Sequence, residues 1–331
     1  LVRLGIDALS LNPDSVIATR LRVAETERSL GMHPPSAREP DAGRARGLAS
    51  MVVATDFSPA ARDAVARALL LPLQTGASVE LLHVMPDERD AVTAAKLELS
   101  ATRQLEGTRD QARAAFAKGT DIHATLVRGL PFPSIAERAH HGRAELVVLG
   151  RHGERRLREL LIGSTAERVI RNGTTSVLVV GGRPAGPYRR PLVAVDLSPS
   201  SRYALELAAR ICDPSLEAID VIHVLDLPGR LYASEGQLVP ALERRLPELE
   251  QALRAELAQF LGDVTAGVRW NLTVELGDPR SGILEQARRR NCDLIAVGTK
   301  GRTGLARVFV GSVAEGVIRH APCDVLVARL P

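Results

Sequence analysis

Short apolar runs alternate with longer amphipathic segments along most of the chain, a pattern typical of strands that alternate with helices. The runs have few polar interruptions, as expected of strands buried on both faces of a sheet. The predicted strands of the first half are 51–55, 79–84, 122–128, 146–149 and 177–180, and those of the second half are 192–195, 219–224, 268–274, 294–297 and 325–328. Helices are predicted between them, in the first half at 59–71, 88–118, 133–140 and from Ser164 onward.

This alternation predicts right-handed crossovers and a parallel sheet that carries helices on both faces. Ser58 followed by Pro59 supports the first helix start, because serine is a favoured N-cap and proline fits the first helical position. The predicted fold class is therefore α/β, with two tandem doubly wound domains.

The chain contains an internal repeat. VATDFSP at 53–59 returns as VAVDLSP at 193–199, an offset of 140 residues, and the strand ending LLHV returns as VIHV at the same offset. Farther along the offset is 148 residues, and AELVVLG at 144–150 matches CDLIAVG at 292–298. A match that keeps its register over so long a stretch indicates a tandem duplication.

The repeat divides the chain into four segments. Residues 48–182 and 191–331 are the two predicted domains, and 183–190 is a linker with proline and glycine. Residues 1–47 belong to neither copy; 16–30 is compatible with one helix, and the rest of this extension has the composition of a connector or of disordered chain. The sequence assigns the extension no function.

Composition excludes several classes of protein. The 331 residues favour two domains, and 45% hydrophobic with 25% charged residues argue against a mostly disordered chain. A net charge of +4 gives no argument for nucleic-acid binding, and 3% aromatic residues are too few for base-stacking surfaces.

The chain shows no apolar stretch long enough to span a membrane and no signal-peptide pattern, so we expect neither a membrane partner nor export. Cys212, Cys292 and Cys323 are widely spaced and odd in number, which argues against a zinc site or a disulfide framework. Free thiols in a reducing cytoplasm are the expectation.

A glycine pattern, G-x2-G-x9-G-[ST], follows the fourth predicted strand of each half. Glycine at a strand end allows close approach of a ligand, and a helix N-terminus attracts anions through its free amides and dipole. Hydroxyls on Ser164, Thr165 and Ser312 add hydrogen-bond donors for phosphate oxygens. The pattern consists of Gly150, Gly153, Gly163 and Ser164 in the first half, and of Gly298, Gly301, Gly311 and Ser312 in the second.

Asp56 and Asp196 end the first strand of each half, and ligands of open parallel sheets bind beyond the carboxyl ends of strands. Such a carboxylate suits a ribose hydroxyl, an adenine amine or a magnesium-bound water. Two interpretations without a ligand stay open: the aspartates stabilise the turn before a helix, and S-x-x-E at 164–167 and 312–315 forms capping boxes. His83 and His223 occupy matching positions at the second strands, where packing is favoured over ligand contact.

With these motifs, each half resembles a domain of the universal stress protein family, and the segment 311–331 is especially similar to the family's C-terminal signature. The resemblance implies five-stranded parallel sheets in the order 3-2-1-4-5 and membership of the ATP-binding branch. The implied ATP contacts are Asp56, Val84, Gly150, Gly153, Gly163, Ser164 and Thr165, then Asp196, Val224, Gly298, Gly301, Gly311, Ser312 and Val313. The sequence does not determine whether magnesium accompanies ATP.

The nine-residue loops within the two patterns differ. The second half has Gly304 where the first has Arg156, and Arg155 and Arg158 flank that position. These arginines either clamp phosphates or form a solvated face, so the sequence favours occupancy of the second site over occupancy of the first.

Two classes of function follow. The favoured one is a nucleotide-responsive stress regulatory module; the alternative is a slow magnesium-dependent ATP hydrolase or nucleotidyl-transfer enzyme that uses Asp56 or Asp196. No P-loop, G-x-S-x-G or H-E-x-x-H motif is present. A ligand-free scaffold is disfavoured because the glycines have no evident packing reason. The resemblance also implies that the apolar fifth strands pair the two domains within one chain, with homodimerisation left open.

Overall fold

The computed structural model describes residues 46–151, 163–226, 240–262, 268–299 and 310–331. Every strand predicted from the apolar runs is present, with bounds shifted by a few residues. The strands are β1 (Leu48–Ala54), β2 (Leu73–Met85), β3 (Asp121–Arg128), β4 (Leu146–Gly150), β5 (Ser176–Val180), β6 (Pro191–Ala194), β7 (Ala218–Leu225), β8 (Arg269–Leu276), β9 (Leu294–Gly298) and β10 (Asp324–Ala328).

Helices fill the connections between the parallel strands, as the alternation predicts. The helices of the first half are α1 (Pro59–Ala68), α2 (Ala91–Ala115), α3 (Pro131–His141) and α4 (Ser164–Asn172). Those of the second half are α5 (Pro199–Ile211), α6 (Pro240–Leu261), α7 (Pro279–Arg289) and α8 (Ser312–His320). None of the helices in the described ranges is long and apolar enough to cross a membrane.

All ten strands form one sheet in the order β3-β2-β1-β4-β5-β10-β9-β6-β7-β8. Each half therefore has the order 3-2-1-4-5, and its strands pair in parallel. The doubly wound α/β prediction is confirmed.

The two halves meet at their fifth strands, which pair antiparallel with Val325 opposite Val179 and Val327 opposite Val177. Alternate residues of the strands enter separate cores on the two faces of the sheet. Leu178 and Leu326 belong to the core shared with α1, α2, α5 and α6, while their strand neighbours belong to the core shared with α3, α4, α7 and α8. Each core runs without a break through both halves.

A buried polar cluster lies on one face of this junction. Asp324 Oδ2 accepts from Arg67 Nε at 2.9 Å and from the Tyr188 hydroxyl at 2.6 Å, and Asp324 Oδ1 accepts from the Gly181 amide at 2.8 Å. The Arg67 guanidinium also lies over the Tyr188 ring, 4.0 Å from its centroid. The linker 183–190 thus contains a tyrosine that is 1% exposed and anchored in the second half.

The opposite face of the junction carries ion pairs between α4 and α8. Arg171 lies 2.9 Å from Glu315, and Arg319 lies 3.6 Å from Glu167, so the same two positions pair reciprocally. Because α4 and α8 both begin at a glycine of the repeated pattern, the ion pairs connect the helices on which the two candidate sites depend.

Candidate functional site

The carboxyl ends of β1, β2 and β4 meet at one end of the sheet. Because β5 and β10 pair antiparallel, the carboxyl ends of β6, β7 and β9 meet at the opposite end, so the two candidate sites lie at opposite ends of the sheet. His83 Nδ1 lies 2.7 Å from the carbonyl oxygen of Thr55, and His223 Nδ1 lies 2.7 Å from that of Val195. The two histidines therefore hold the turn that follows the first strand of each half, which is a structural role.

In the first half this turn is closed by Asp56. Its Oδ1 accepts from the Ser58 amide at 3.0 Å, while Phe57 adopts a left-handed φ of 61°. Ser58 is the N-cap of α1, and its hydroxyl oxygen accepts from the Ala61 amide at 3.2 Å. Asp56 itself is exposed. The carboxylate thus stabilises the turn, as one interpretation without a ligand expects, and remains open to solvent.

The second half repeats the backbone of this turn with more hydroxyl groups. Leu197 has a φ of 65°, and Asp196 Oδ1 accepts from both the amide and the hydroxyl of Ser198, at 3.1 and 2.5 Å. Ser198 Oγ lies 3.1 Å from Ser200 Oγ. Asp196 is partly buried, in contrast to Asp56.

Gly150 and Gly298 have a packing reason that the sequence did not reveal. A Cβ at Gly150 would lie 2.6 Å from the Ala60 carbonyl oxygen, and a Cβ at Gly298 would lie 2.7 Å from Ser200 Oγ and 2.8 Å from the Ser201 amide nitrogen. The first turn of α1 or α5 therefore needs glycine at the end of the fourth strand. The expectation that these glycines lack a packing reason is wrong for this pair.

Gly163 and Gly311 are the N-caps of α4 and α8. Their amides donate to the carbonyls of Arg151 at 2.7 Å and Thr299 at 3.0 Å, which anchors the helix starts to the fourth strands. Among the described residues, a Cβ at Gly311 would find no atom closer than the Thr299 carbonyl oxygen, at 3.8 Å. Packing against these residues therefore does not require glycine at position 311.

The capping-box interpretation is wrong. Ser164 and Ser312 are the first helical residues rather than the N-caps, and neither helix has a side-chain capping hydrogen bond. Glu167 and Glu315, the other half of each supposed box, instead join the ion pairs with Arg171. The first-turn amides of both helices thus lack the side-chain acceptor that a capping box would supply.

The remaining predicted contacts that the structure describes lie around these elements. Ser164 and Ser312 are exposed, and Thr165 and Val313 are partly buried in the same first turns. Val84 and Val224, near the ends of β2 and β7, are partly buried and pack against the core. Gly153, Gly301, Gly304, Arg155, Arg156 and Arg158 lie outside the described residues.

The structure also shows a residue beside the pattern that the sequence did not single out. Arg151, directly after Gly150, donates from Nη1 to the Ala321 carbonyl at 2.9 Å and from Nη2 to the Cys323 carbonyl at 2.6 Å. Burial lowers the pKa of the Arg151 guanidinium below its ordinary value. The first glycine element is therefore tied to the end of α8; the repeat gave no signal of this, because Thr299 stands at the matching position.

Each of the two sites combines one carboxylate, one helix N-terminus with free first-turn amides and an exposed serine hydroxyl. This set suits a ligand with an anionic group and a hydroxyl- or amine-bearing group, as in a nucleotide. Within the described ranges, no group of three or more histidine, cysteine, aspartate or glutamate residues is arranged to hold a metal ion.

Comparisons with known proteins agree with the repeat. The model of the universal stress protein family matches residues 49–181 and again residues 187–329. Universal stress protein E of Escherichia coli (strain K12) is 26% identical over 253 residues, covering 74% of this chain and 78% of that protein. A universal stress protein of Staphylococcus aureus (strain USA300) is 34% identical over 146 residues, covering 43% of this chain and 84% of that protein.

The fold is similar to that of a universal stress protein from Archaeoglobus fulgidus. The TM-score is 0.60 at 21% identity, and the similarity covers 85% of this chain and 98% of that chain.

Proposed function

The chain belongs to the universal stress protein family, as a tandem pair of its domains, and from this premise we propose that it is an ATP-binding regulatory protein of the stress response. Each half would hold one adenine nucleotide at the carboxyl ends of its own strands. The bound nucleotide would order the glycine loops and so change a surface that partners read.

The observation that carries the proposal is the start of α8. Packing against the residues that the structure describes does not require glycine at 311, the helix has no side-chain cap, and Ser312 exposes a hydroxyl beside the free amides. A phosphate group is the natural partner of such a helix start, because amide donors and the positive end of the helix dipole both favour an anion.

The aspartates would supply the second half of the recognition. Asp196 stands at the end of β6, next to Ser200, which packs against Gly298. A carboxylate in that position would accept from ribose hydroxyls or from the adenine amine, or bind a magnesium-bound water. We propose the matching role for Asp56 in the first half.

We further propose that the two halves stay together in solution through the ladder between β5 and β10. The unbroken cores and the Arg67–Asp324 pair support this, because separating the halves would expose both. Homodimerisation through another surface and a cytoplasmic location belong to the same proposal. Cys212, Cys292 and Cys323 are free thiols, which suits a reducing compartment.

Three substitutions at one position test the nucleotide site. Gly311→Ala adds only a methyl group, Gly311→Asn adds a neutral capping side chain, and Gly311→Asp adds the same shape with a negative charge. Each variant is purified, its retained nucleotide is released by heat and quantified by chromatography, and its unfolding midpoint is measured. We expect retention at the second site in the order wild type, Ala, Asn, Asp.

Aspartate is a favourable N-cap, so Gly311→Asp should lose nucleotide without losing stability. Wild-type protein that carries no nucleotide and ignores added ATP would refute the proposal. Single-turnover hydrolysis that disappears in Asp196→Asn would replace a purely regulatory role with the enzymatic alternative.

A further inference from the structure

A chain of hydroxyl groups leads to Asp196 in the second half. Ser198, Ser200 and Ser201 are all buried, at 3%, 3% and 2% exposure. Ser198 Oγ lies 2.5 Å from Asp196 Oδ1 and 3.1 Å from Ser200 Oγ, and it accepts from the Ser201 amide at 3.2 Å. One serine hydroxyl thus has three neighbours within hydrogen-bond distance.

The direction of the chain follows from counting hydrogens. A serine hydroxyl has one hydrogen and two acceptor lone pairs. The hydrogen of Ser198 goes to the Asp196 carboxylate, which can only accept, and one lone pair receives the Ser201 amide. The remaining lone pair of Ser198 faces Ser200 Oγ, so a hydrogen bond between these two hydroxyls has Ser200 as its donor, and each donation strengthens the next through polarisation.

The first half lacks this chain. Ser58 occupies the position of Ser198, but Ala60 and Ala61 replace the two buried serines that follow. Ser58 Oγ accepts from the Ala61 amide, and within the described residues Asp56 is held only by the Ser58 amide. The same backbone turn thus fixes its carboxylate through one donor in the first half and through two in the second.

We propose that Ser200 is a positioning residue that makes the second half the tighter of the two nucleotide sites. The inference rests on the proposed function, because it names what distinguishes the two sites. Ser200 acts through Ser198 to hold Asp196 in its binding orientation before the ligand arrives. The Asp196 side chain then loses less conformational freedom when the nucleotide binds, so the affinity is higher.

Single-site proteins allow the two halves to be compared. Gly163→Asp is designed to close the first site and leave the second open, while Gly311→Asp is designed to do the reverse; φ is −59° at both positions, a backbone conformation that L-residues adopt. ATP titration of each should give a lower Kd for the second site, by about five- to tenfold, the size expected for one added hydrogen bond.

Two exchanges between the halves then test Ser200. In the Gly163→Asp protein, Ser200→Ala should raise the Kd by about fivefold; in the Gly311→Asp protein, Ala60→Ser should lower it, as expected for one hydrogen bond. The fold tolerates alanine here, since Ala60 occupies the matching position. With Asp196→Asn also present, Ser200→Ala should change the Kd less than twofold, which a general loss of packing would not produce.

Equal affinities at the two sites, or the same loss from Ser200→Ala with and without Asp196, would overturn this inference and leave the proposed function standing. Wild-type protein that binds no ATP would refute the proposed function, and the inference with it.

Discussion

The two halves of the molecule share their strand order, their turns and their glycine spacing, but they differ in the polar groups at equivalent positions. Arg67 and Tyr188 surround Asp324 at the junction, whereas the matching positions hold Leu207, Leu48 and Ser176. After duplication, backbone geometry has been kept while single side chains have diverged.

Two of these differences lie at the junction between the halves and at the turn after the first strand. At the junction, the buried Arg67–Asp324 pair has no equivalent at the matching positions of the two halves. The turn after β6 has two serines, Ser200 and Ser201, where the turn after β1 has alanines. Both changes add hydrogen bonds without altering the fold, so the comparison can be tested one position at a time.

The largest expected effect is at Asp324. Asp324→Ala removes the charge partner of the buried Arg67 guanidinium and the acceptor of the Tyr188 hydroxyl, which should destabilise the protein by about 3–5 kcal/mol. Ser176→Ala, at the matching position of the first half, should cost about 1 kcal/mol or less, because it removes no charge partner. Denaturant unfolding of both variants measures the difference; equal losses would show that the charge pair contributes nothing special.

The fourth-strand glycines should be the next most sensitive. Gly298→Ala forces a Cβ against the first turn of α5, and we expect a loss of about 1–3 kcal/mol, with a similar loss for Gly150→Ala. Gly311→Ala should change the unfolding free energy by less than about 0.5 kcal/mol. A large loss at Gly311, measured by the same unfolding experiment, would contradict the open space assigned to that position.

Alkaline pH should destabilise the junction through the Tyr188 hydroxyl. Burial, followed by the nearby Asp324 charge, raises the pKa of Tyr188 well above its ordinary 10.0. The unfolded chain then ionises first, so the stabilisation is complete below pH 10 and is lost as the pH rises above that value. Tyr188→Phe should lower stability at neutral pH by about 1–3 kcal/mol and weaken the alkaline decline; an unchanged pH profile would contradict this assignment.

The smallest effect is expected at the reciprocal ion pairs between α4 and α8. The side chains of Arg171 and Glu315 are 44% and 35% exposed, so solvent screens the attraction between them. Arg171→Ala should therefore lower the free energy of unfolding by about 0.5–1 kcal/mol. The loss should shrink in high salt. Arg319→Ala, its symmetry mate, should behave alike, and unequal salt dependence of the two variants would show that the pairs are not equivalent.

The fold could be predicted from the sequence because its signals are local or repeated. Apolar runs set the strands, Ser58 was a recognisable N-cap, and the duplicated motifs required the two halves to share one topology. The contacts across the junction could not be predicted, since Arg67 and Asp324 lie 257 residues apart and neither has a charged counterpart in the other half.

The candidate site was harder to predict because glycine has no side chain to indicate its neighbour. Gly150 and Gly311 are both glycines of the repeated pattern. Among the described residues, Gly150 is packed against the start of α1, whereas Gly311 has no close neighbour. The capping-box prediction failed because it placed the N-cap of α8 one residue too late. Gly311 is the N-cap and Ser312 is the first helical residue, and the local sequence is compatible with either assignment.

ATP titration of four proteins tests most directly the claim that each half binds one nucleotide at its helix start. We expect two ATP per chain for wild type, one for Gly163→Asp, one for Gly311→Asp and none for the double variant, with unfolding midpoints equal to or above that of wild type. A folded double variant that still binds ATP as wild type does would place the nucleotide elsewhere and contradict the account.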